Sequence, residues 1–258
     1  MPLVCLSDEG PIARLTLNRP EALNALSEEL AGEFAAAVKR LARSRAKAVL
    51  LEGAGTAFCA GGDLAFIEKN RRGRTAALTS RMRRFYGSFL SLRDLPQVTV
   101  AKIQGPAVGA GLCLALAADL RAVADDARLG FNFVRLGINP GMAAWPLALA
   151  AVGDARAREL LFTGRFFTGR DLYDWGGATV RAESAEALAA AADDLVRRAA
   201  SGSAAALRLL KAETRLGGDL KPFLEFEAKG QAATFRGPDL AEGLAAVRER
   251  RPPSFPAA

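Results

Sequence analysis

Two loops built from small residues occur in the first half of the chain, each after a short apolar run and before a segment with helical character. Residues 57–64 read AFCAGGDL and residues 105–111 read GPAVGAG. Glycine and alanine let another backbone or a ligand come close, so such loops mark places where elements pack tightly. A strand, a tight loop and a helix in this order, used twice, predict an α/β fold in which helices cover a sheet.

Hydrophobic periodicity extends this pattern along the chain. Apolar runs predict strands at residues 12–17, 47–51, 98–103 and 121–124. Ser27 is a candidate N-cap for a helix with one apolar face. That face comprises Leu30, Phe34, Val38 and Leu41. Helical patterns dominate after residue 155, most clearly at 185–200 and 204–211. A few helices cannot bury both faces alone, so this region is a candidate oligomerisation element.

The chain of 258 residues contains no histidine. This excludes a Ser-His-Asp triad, a histidine-ligated metal and an imidazole general base. Three cysteines, at positions 5, 59 and 113, lack the spacing of a metal site, so we expect no metal. Neither loop is a dinucleotide fingerprint or a phosphate-binding P-loop. Chemistry in this chain must therefore use carboxylates, thiols, phenols, lysine, arginine or backbone groups.

Other features predict the compartment and the partners. An odd number of cysteines and an N-terminus without a basic, apolar leader favour the cytoplasm. The longest weakly polar stretch, 136–153, is broken by two prolines, which argues against a membrane span. The net charge is +7, but the basic residues are scattered and are not interleaved with aromatic residues. We expect neither nucleic acid nor membrane as a partner, and a small polyanionic ligand stays open.

The two loops could also carry chemistry. The first turn of a helix has backbone N–H groups without partners inside the helix, together with the positive end of the helix dipole. Two such ends facing one pocket would bind an oxyanion, such as an enolate oxygen. For either loop alone, tight packing of a strand against a helix is the more ordinary explanation.

Several blocks of sequence together resemble the enoyl-CoA hydratase/isomerase (crotonase) superfamily over nearly the whole chain. They are LTLNRP at 15–20, ALNAL at 22–26, the two loops, and LFTG at 161–164. The resemblance implies a crotonase-like ββα spiral core over residues 1–195. It also implies an α-helical C-terminal trimerisation region over residues 196–258, in a homotrimer or a hexamer built as a dimer of trimers.

The resemblance further implies an acyl thioester as substrate, normally acyl-CoA, and no prosthetic group. Coenzyme A or phosphopantetheine would enter as part of the substrate. The thioester oxygen would lie between the backbone N–H groups of Gly62 and Ala110. The positions that match contacts to the coenzyme A moiety are Ala22, Leu23, Ala60, Gly61, Asp63, Leu64 and Arg250.

The sequence departs from the family where hydratases carry two glutamates. Those positions are Cys113 and Phe133 here, and a third carboxylate position, used by some isomerases and dehalogenases, is Gly141. Addition of water to a double bond needs acid and base groups placed on that water. A phenylalanine can neither donate nor accept a proton, and a small buried cysteine is more often a core residue. True hydratase activity is therefore disfavoured.

An isomerase-type enzyme that stabilises an enolate and uses a relocated acid or base is the favoured alternative. The candidate groups lie in the segment 63–92, which borders the acyl pocket in the family. They are Asp63, Glu68, Lys69 and Tyr86. Each has a plainer explanation: Asp63 follows Gly62 as a helix N-cap, Glu68 and Lys69 lie on a solvated helix face, and Tyr86 packs in the core.

Two further alternatives stay open. Residues 132–142 are similar to the corresponding segment of polyketide β-branching decarboxylases, which act on thioesters of an acyl carrier protein, although Pro106 stands where those enzymes carry a histidine. A decarboxylase of a β-carboxy thioester would need a cation for the carboxylate, and Lys69, Arg83 or Arg84 are candidates. The other alternative is a non-catalytic acyl-CoA binding protein that has kept the pocket without the acids.

Overall fold

The computed structural model describes residues 1–8, 10–70, 75–215, 229, 231 and 238–255. Its strands are β1 Val4–Ser7, β2 Ile12–Leu17, β3 Ala48–Gly53, β4 Val98–Ile103, β5 Ala107–Val108, β6 Leu120–Ala124, β7 Arg128–Gly130, β8 Phe166–Thr168 and β9 Val180–Ala182. Its helices are α1 Glu28–Leu41, α2 Leu64–Asn70, α3 Thr75–Leu90, α4 Ala110–Leu116, α5 Ala144–Val152, α6 Asp154–Thr163, α7 Gly169–Asp174, α8 Ala185–Ala200, α9 Ala204–Glu213 and α10 Pro238–Glu249.

The main sheet has the strand order β1-β2-β3-β4-β6-β9 among the described residues. β1 and β2 are antiparallel, and every later pair is parallel. In the centre Leu15 aligns with Leu51, and Leu51 with Ala101, so buried apolar side chains lie side by side. β3 is buried on both faces, which explains its continuous apolar sequence.

A small second sheet positions the second glycine-rich loop. It consists of β5, β7 and β8, with β5 parallel to β7 and β7 antiparallel to β8. The N–H of Gly109 donates to the carbonyl of Gly130 at 2.8 Å, so β7 holds the start of α4. This sheet therefore fixes one half of the candidate site.

Helices cover the main sheet as their apolar faces require. The Ser27 hydroxyl accepts a hydrogen bond from the N–H of Leu30 at 3.2 Å and caps α1 as expected. α1 packs on α3, where the rings of Phe34 and Phe89 are 5.3 Å apart. α4 is buried along its whole length, and α8 lies across β3, β4 and β6. None of the described helices has the length and apolar character to cross a bilayer.

The α/β class and the main elements expected from the sequence are confirmed. The strands at 12–17 and 98–103 and the helix at 185–200 have the expected bounds. The sequence reading missed β1 and the short strands β7, β8 and β9, and the last two lie in the region expected to be helical. Each of β7, β8 and β9 has three residues, too few for a period to show. The expected boundary at residue 195 falls inside α8, and the two-part division stays a prediction.

Candidate active site

The first glycine-rich loop contains one backbone N–H group, that of Gly62, for which the described residues provide no acceptor. The carbonyl of Gly61 accepts from the N–H of Leu26 at 2.7 Å, and the N–H of Asp63 donates to the Leu26 carbonyl at 3.0 Å. Successive N–H groups of an extended segment point to opposite sides, so the N–H of Gly62 points away from Leu26. Gly62 lines the cavity described below.

The second donor is the N–H of Ala110, the first residue of α4. The first N–H groups of a helix have no acceptor within the helix. The preceding residue, Gly109, has φ +54° and caps the helix only through its backbone: its carbonyl accepts from the N–H of Cys113 at 3.1 Å. Ala110 lines the same cavity as Gly62, so both expected oxyanion donors belong to one site.

The two loops touch through positions where only glycine fits. A methyl group on Gly61, which has φ +104°, would lie 2.7 Å from the Val108 carbonyl oxygen and 3.8 Å from the Ala110 nitrogen. A methyl group on Gly111 would lie 2.2 Å from the carbonyl oxygen of Cys59. Cys59 also pairs with Ala107 in an isolated parallel bridge. The two loops therefore pack tightly against each other and also bring the N–H groups of Gly62 and Ala110 to one cavity.

A buried asparagine gives the NRPEALNAL block at residues 18–26 a structural role that needs no ligand. Asn24 accepts from the N–H of Arg19 at 2.9 Å and donates to the carbonyls of Ala54 and Ala57, each at 2.9 Å. Because Ala57 begins the first glycine-rich loop and Ala54 lies just before it, Asn24 links that loop to the turn after β2. The block thus helps to hold in place the loop that contains Gly62.

The donors open onto a cavity of about 470 Å³ between the loops, α2 and α3. Most of its wall is apolar. The large apolar residues that line it are Phe66, Ile67, Met82, Phe85, Phe133, Leu136, Ile138 and Met142. Its polar side chains among the described residues are Asp63, Tyr86, Asn132 and Asn139. Such a pocket suits an apolar group with a few fixed polar contacts.

Most positions expected to contact coenzyme A lie at this cavity. Ala22, Ala60, Gly61, Asp63 and Leu64 line it. Leu23 does not; its side chain is 45 % exposed and its carbonyl accepts from the N–H of Ala60 at 2.9 Å. Arg250 follows α10, is exposed, and is not among the cavity residues.

The positions of the family's acids carry no usable acid or base. Cys113 is fully buried, its Sγ lies 3.8 Å from the Gly141 carbonyl, and burial raises the pKa of its thiol. Phe133 presents its ring to the cavity and Gly141 contributes backbone. The nearby Cys59 thiol has a pKa raised to about 12 by burial. None of these groups moves a proton readily at neutral pH.

Asp63 is occupied as a structural group. Its Oδ2 is 2.5 Å from Nη1 of Arg19, and its Oδ1 accepts from the N–H groups of Ala65 at 2.8 Å and Phe66 at 3.3 Å. The hydrogen bond from Arg19 is the main cause that lowers the pKa of this carboxyl group. These contacts favour the N-cap of α2 over a general base.

The remaining charged candidates lie outside the cavity lining. Lys69 faces Glu28 at 3.7 Å and is mostly exposed. Arg83 and Arg84 are exposed on α3, and neither they nor Glu68 line the cavity. The structure thus places Tyr86 and the ion-paired Asp63 at the cavity, and the other candidate groups away from it.

We expect Asp63→Asn to destabilise the protein by about 1.5–3 kcal/mol at pH 7, the range for a hydrogen bond to a charged group. Asparagine keeps the N-cap, so the loss reports the pair with Arg19. Because folding lowers the pKa of Asp63, its contribution is present above the ordinary carboxyl pKa and is lost as pH falls through the folded value. Urea unfolding of both proteins at pH 7 and pH 3 should show the difference shrinking in acid.

Asp154→Asn is the matched control, since Asp154 forms an exposed i,i+4 pair with Arg158 on α6. Exposed pairs of this kind contribute little to stability, because solvent and salt screen them. Equal losses for the two variants at pH 7 would contradict a special role of the Arg19–Asp63 pair.

The sequence did not predict several residues that line the cavity. They include Ile67 on α2, Met82 and Phe85 on α3, and Asn132. The Asn132 Oδ1 lies 3.1 Å from the position of a methyl group on Gly109, beside the second donor. No local pattern marks these residues, because a helix position becomes a pocket position only through its tertiary neighbours.

Known proteins resemble this chain over nearly its whole length. The sequence model of the family described as "Enoyl-CoA hydratase/isomerase" matches residues 7–257. The putative enoyl-CoA hydratase/isomerase YhaR of Bacillus subtilis is 31 % identical over 100 % of both chains. The 1,2-epoxyphenylacetyl-CoA isomerase of Escherichia coli is 32 % identical over 96 % of this chain and 95 % of its own.

A solved structure gives the same result for the fold. The crystal structure of an enoyl-CoA hydratase from Bacillus anthracis superimposes with a TM-score of 0.91 at 27 % identity, covering 99 % of this chain and all of the other. The expected crotonase-like fold is thereby confirmed. This chain belongs to the enoyl-CoA hydratase/isomerase family.

Proposed function

We propose that this chain acts on an acyl-CoA thioester and stabilises its enolate between the N–H groups of Gly62 and Ala110. The observation that carries the proposal is that two backbone N–H groups, with no acceptor in the part of the chain that the structure describes, line one largely apolar cavity. Donors aimed at developing negative charge in a water-poor site stabilise it strongly. The family membership supports acyl-CoA as the substrate class.

The residues at the positions of the family's two glutamates argue against hydration as the reaction. Hydration adds water across the double bond, and acid and base groups must hold that water. Phe133 fills one of the expected positions with a ring, and Cys113 is buried with a raised pKa. We therefore expect only trace hydratase activity.

Decarboxylation of a β-carboxy acyl-CoA fits the site best, because it forms an enolate without a base. The bond between the α-carbon and the carboxylate breaks, carbon dioxide leaves, and the electron pair moves onto the α-carbon and the thioester oxygen. Among the described residues no free carboxylate lines the cavity, since Asp63 is held by Arg19. A proton then completes the product.

The substrate carboxylate would not bind to the cations that the sequence suggested. Lys69, Arg83 and Arg84 are not cavity residues. Asn132 lines the cavity, and its side-chain amide group could donate a hydrogen bond to the substrate carboxylate, although the atom beside Gly109 is its Oδ1, an acceptor. A neutral donor and an apolar wall hold a carboxylate weakly, and that weak solvation favours its loss as neutral carbon dioxide.

Isomerisation of the acyl group is the second candidate. The Escherichia coli relative, named 1,2-epoxyphenylacetyl-CoA isomerase, is the observation in its favour. Moving a double bond needs a base to remove a proton, and no cavity side chain of the described ranges is a free base. For this reason isomerisation ranks below decarboxylation.

We expect the purified protein to decarboxylate methylmalonyl-CoA at least about 100-fold faster than it hydrates crotonyl-CoA, since correctly placed acid–base groups contribute about 100-fold or more. Both reactions, together with isomerisation of a 3-enoyl-CoA, can be followed by chromatography and mass spectrometry in D₂O. One deuterium per product and loss of the carboxylate support the proposal. Efficient hydration would overturn it, and tight binding without any turnover would favour an acyl-CoA binding protein.

The wider expectations remain proposals. We propose a homotrimer or hexamer, a cytoplasmic location, and coenzyme A rather than an acyl carrier protein as the thiol carrier. Analytical ultracentrifugation measures the oligomeric state. Comparing the same acyl group on coenzyme A and on a phosphopantetheinylated carrier protein tests the last.

A further inference from the structure

We infer that the hydroxyl group of Tyr86 donates the proton that the enolate takes up at its α-carbon. The inference rests on the proposed enolate chemistry and adds to it the residue that moves the proton. Hydratase-position glutamates are absent, so a proton source must come from elsewhere in the cavity.

The position of the hydroxyl group is the first argument. Tyr86 belongs to α3 and lines the cavity together with Gly62 and Ala110. A methyl group on Gly141 would lie 2.4 Å from the Tyr86 Oη and 2.7 Å from Cζ. The phenol tip therefore occupies the space that any side chain at position 141 would need. Position 141 has no side chain, and the hydroxyl lies at that wall of the cavity.

Neighbouring aromatic rings hold the phenol in this place. The Phe85 ring meets the Tyr86 ring edge-on with centroids 6.3 Å apart, and Phe85 stacks on Phe66 at 4.6 Å. The Phe85 ring also meets Phe89 at 5.2 Å. Such contacts fix a ring more firmly than area burial alone. The hydroxyl is thus directed by packing rather than by a hydrogen bond.

The hydroxyl group has no hydrogen-bond partner among the described residues, although its side chain is half-buried. Phenol hydroxyls that leave water normally find a partner, so an unpartnered one at a ligand cavity is available to the ligand. Had Tyr86 only filled the core, a phenylalanine would serve equally and no polar atom would face the cavity.

The charge state of the phenol fits donation. Burial is the main cause that raises the pKa of Tyr86, and the neighbouring Cys113 thiol raises it further. The phenol is therefore protonated at neutral pH and serves as an acid rather than a base. In the proposed step its O–H bond breaks, a C–H bond forms at the α-carbon, and the phenolate regains a proton from water after the product leaves.

The test uses the fact that the chain has two tyrosines. Tyr86→Phe removes the hydroxyl at the cavity, and Tyr173→Phe removes the other, which is 39 % exposed on α7. Each variant converts methylmalonyl-CoA in D₂O for a short time. The readouts are kcat, KM and the configuration of the deuterated α-carbon in the product.

For Tyr86→Phe we expect kcat to fall about 100-fold, at the lower end of general acid contributions, with KM changed less than about threefold. Deuterium should enter on both faces of the α-carbon, because water then supplies the proton. Tyr173→Phe should match the wild type in all three readouts. An active wild type whose Tyr86→Phe variant keeps its rate and one product configuration would overturn the role of Tyr86 alone.

Gly141→Ala provides an independent second variant. The added methyl group displaces the Tyr86 hydroxyl while the tyrosine stays in the chain. We expect the same loss of rate and of configuration as for Tyr86→Phe. Unchanged values for Gly141→Ala would count against the inference. A wild type that neither decarboxylates nor exchanges an α-proton would overturn the enolate proposal itself, and with it this inference.

Discussion

Ala110→Pro is expected to lower kcat about 100–1000-fold, because it removes one of the two N–H donors for the thioester oxygen. Ala110 is the first residue of α4, where proline is tolerated since that N–H has no helical acceptor. The preceding Gly109 has no side chain to clash with the proline ring. The substitution thus removes one hydrogen-bond donor with little change in the fold.

Steady-state kinetics and thermal unfolding together test this result. Ala185→Pro is the matched control: it places proline at the first residue of α8, which is exposed, follows the Ser184 cap, and lies outside the cavity. We expect that control to keep its activity within about twofold. A stable Ala110→Pro protein with full activity would show that the oxygen is not held at Ala110.

The sequence alone predicts those parts of the fold that depend on neighbours along the chain. Ser27 and the apolar face from Leu30 to Leu41 specify α1, because a cap and a helical period are local signals. The alternation in 12–17 specifies β2 for the same reason. Short strands such as β7 and β8 have no such signal; their pairing joins segments about 40 residues apart, as Leu129 with Phe167 shows.

The candidate site likewise has parts that local sequence predicts and parts that depend on tertiary contacts. The two helix starts could be predicted from a local strand–loop–helix pattern, and the family resemblance assigns Gly62 and Ala110 there as the donors. Which acid or base candidate reaches the cavity could not, because the answer depends on contacts between distant residues. Tyr86 meets Gly141 through the packing of α3 over the loops, and Asp63 is withdrawn from chemistry by Arg19. Neither contact can be inferred from periodicity along the chain.

Gly111→Ala is expected to destabilise the protein by about 4 kcal/mol or more. The new methyl group would lie 2.2 Å from the carbonyl oxygen of Cys59 and 2.8 Å from its Cβ. Cys59 cannot retreat freely, because its N–H donates to Pro106 at 3.0 Å and its carbonyl accepts from Val108 at 3.0 Å. Overpacking costs about 1–3 kcal/mol, and each buried hydrogen bond that is broken adds a similar amount.

Gly32→Ala is the opposite case in the same chain, and the pair separates packing from backbone propensity. Gly32 is exposed on α1 with no atom within 4 Å of the added methyl group. Alanine is the better helix former there, so we expect a gain of about 0.5–1 kcal/mol. Urea unfolding measures both variants. A Gly111→Ala protein within about 1 kcal/mol of the wild type would mean that the two loops are not in contact. The donors of Gly62 and Ala110 could then not be held over one cavity, because that contact is what fixes their separation.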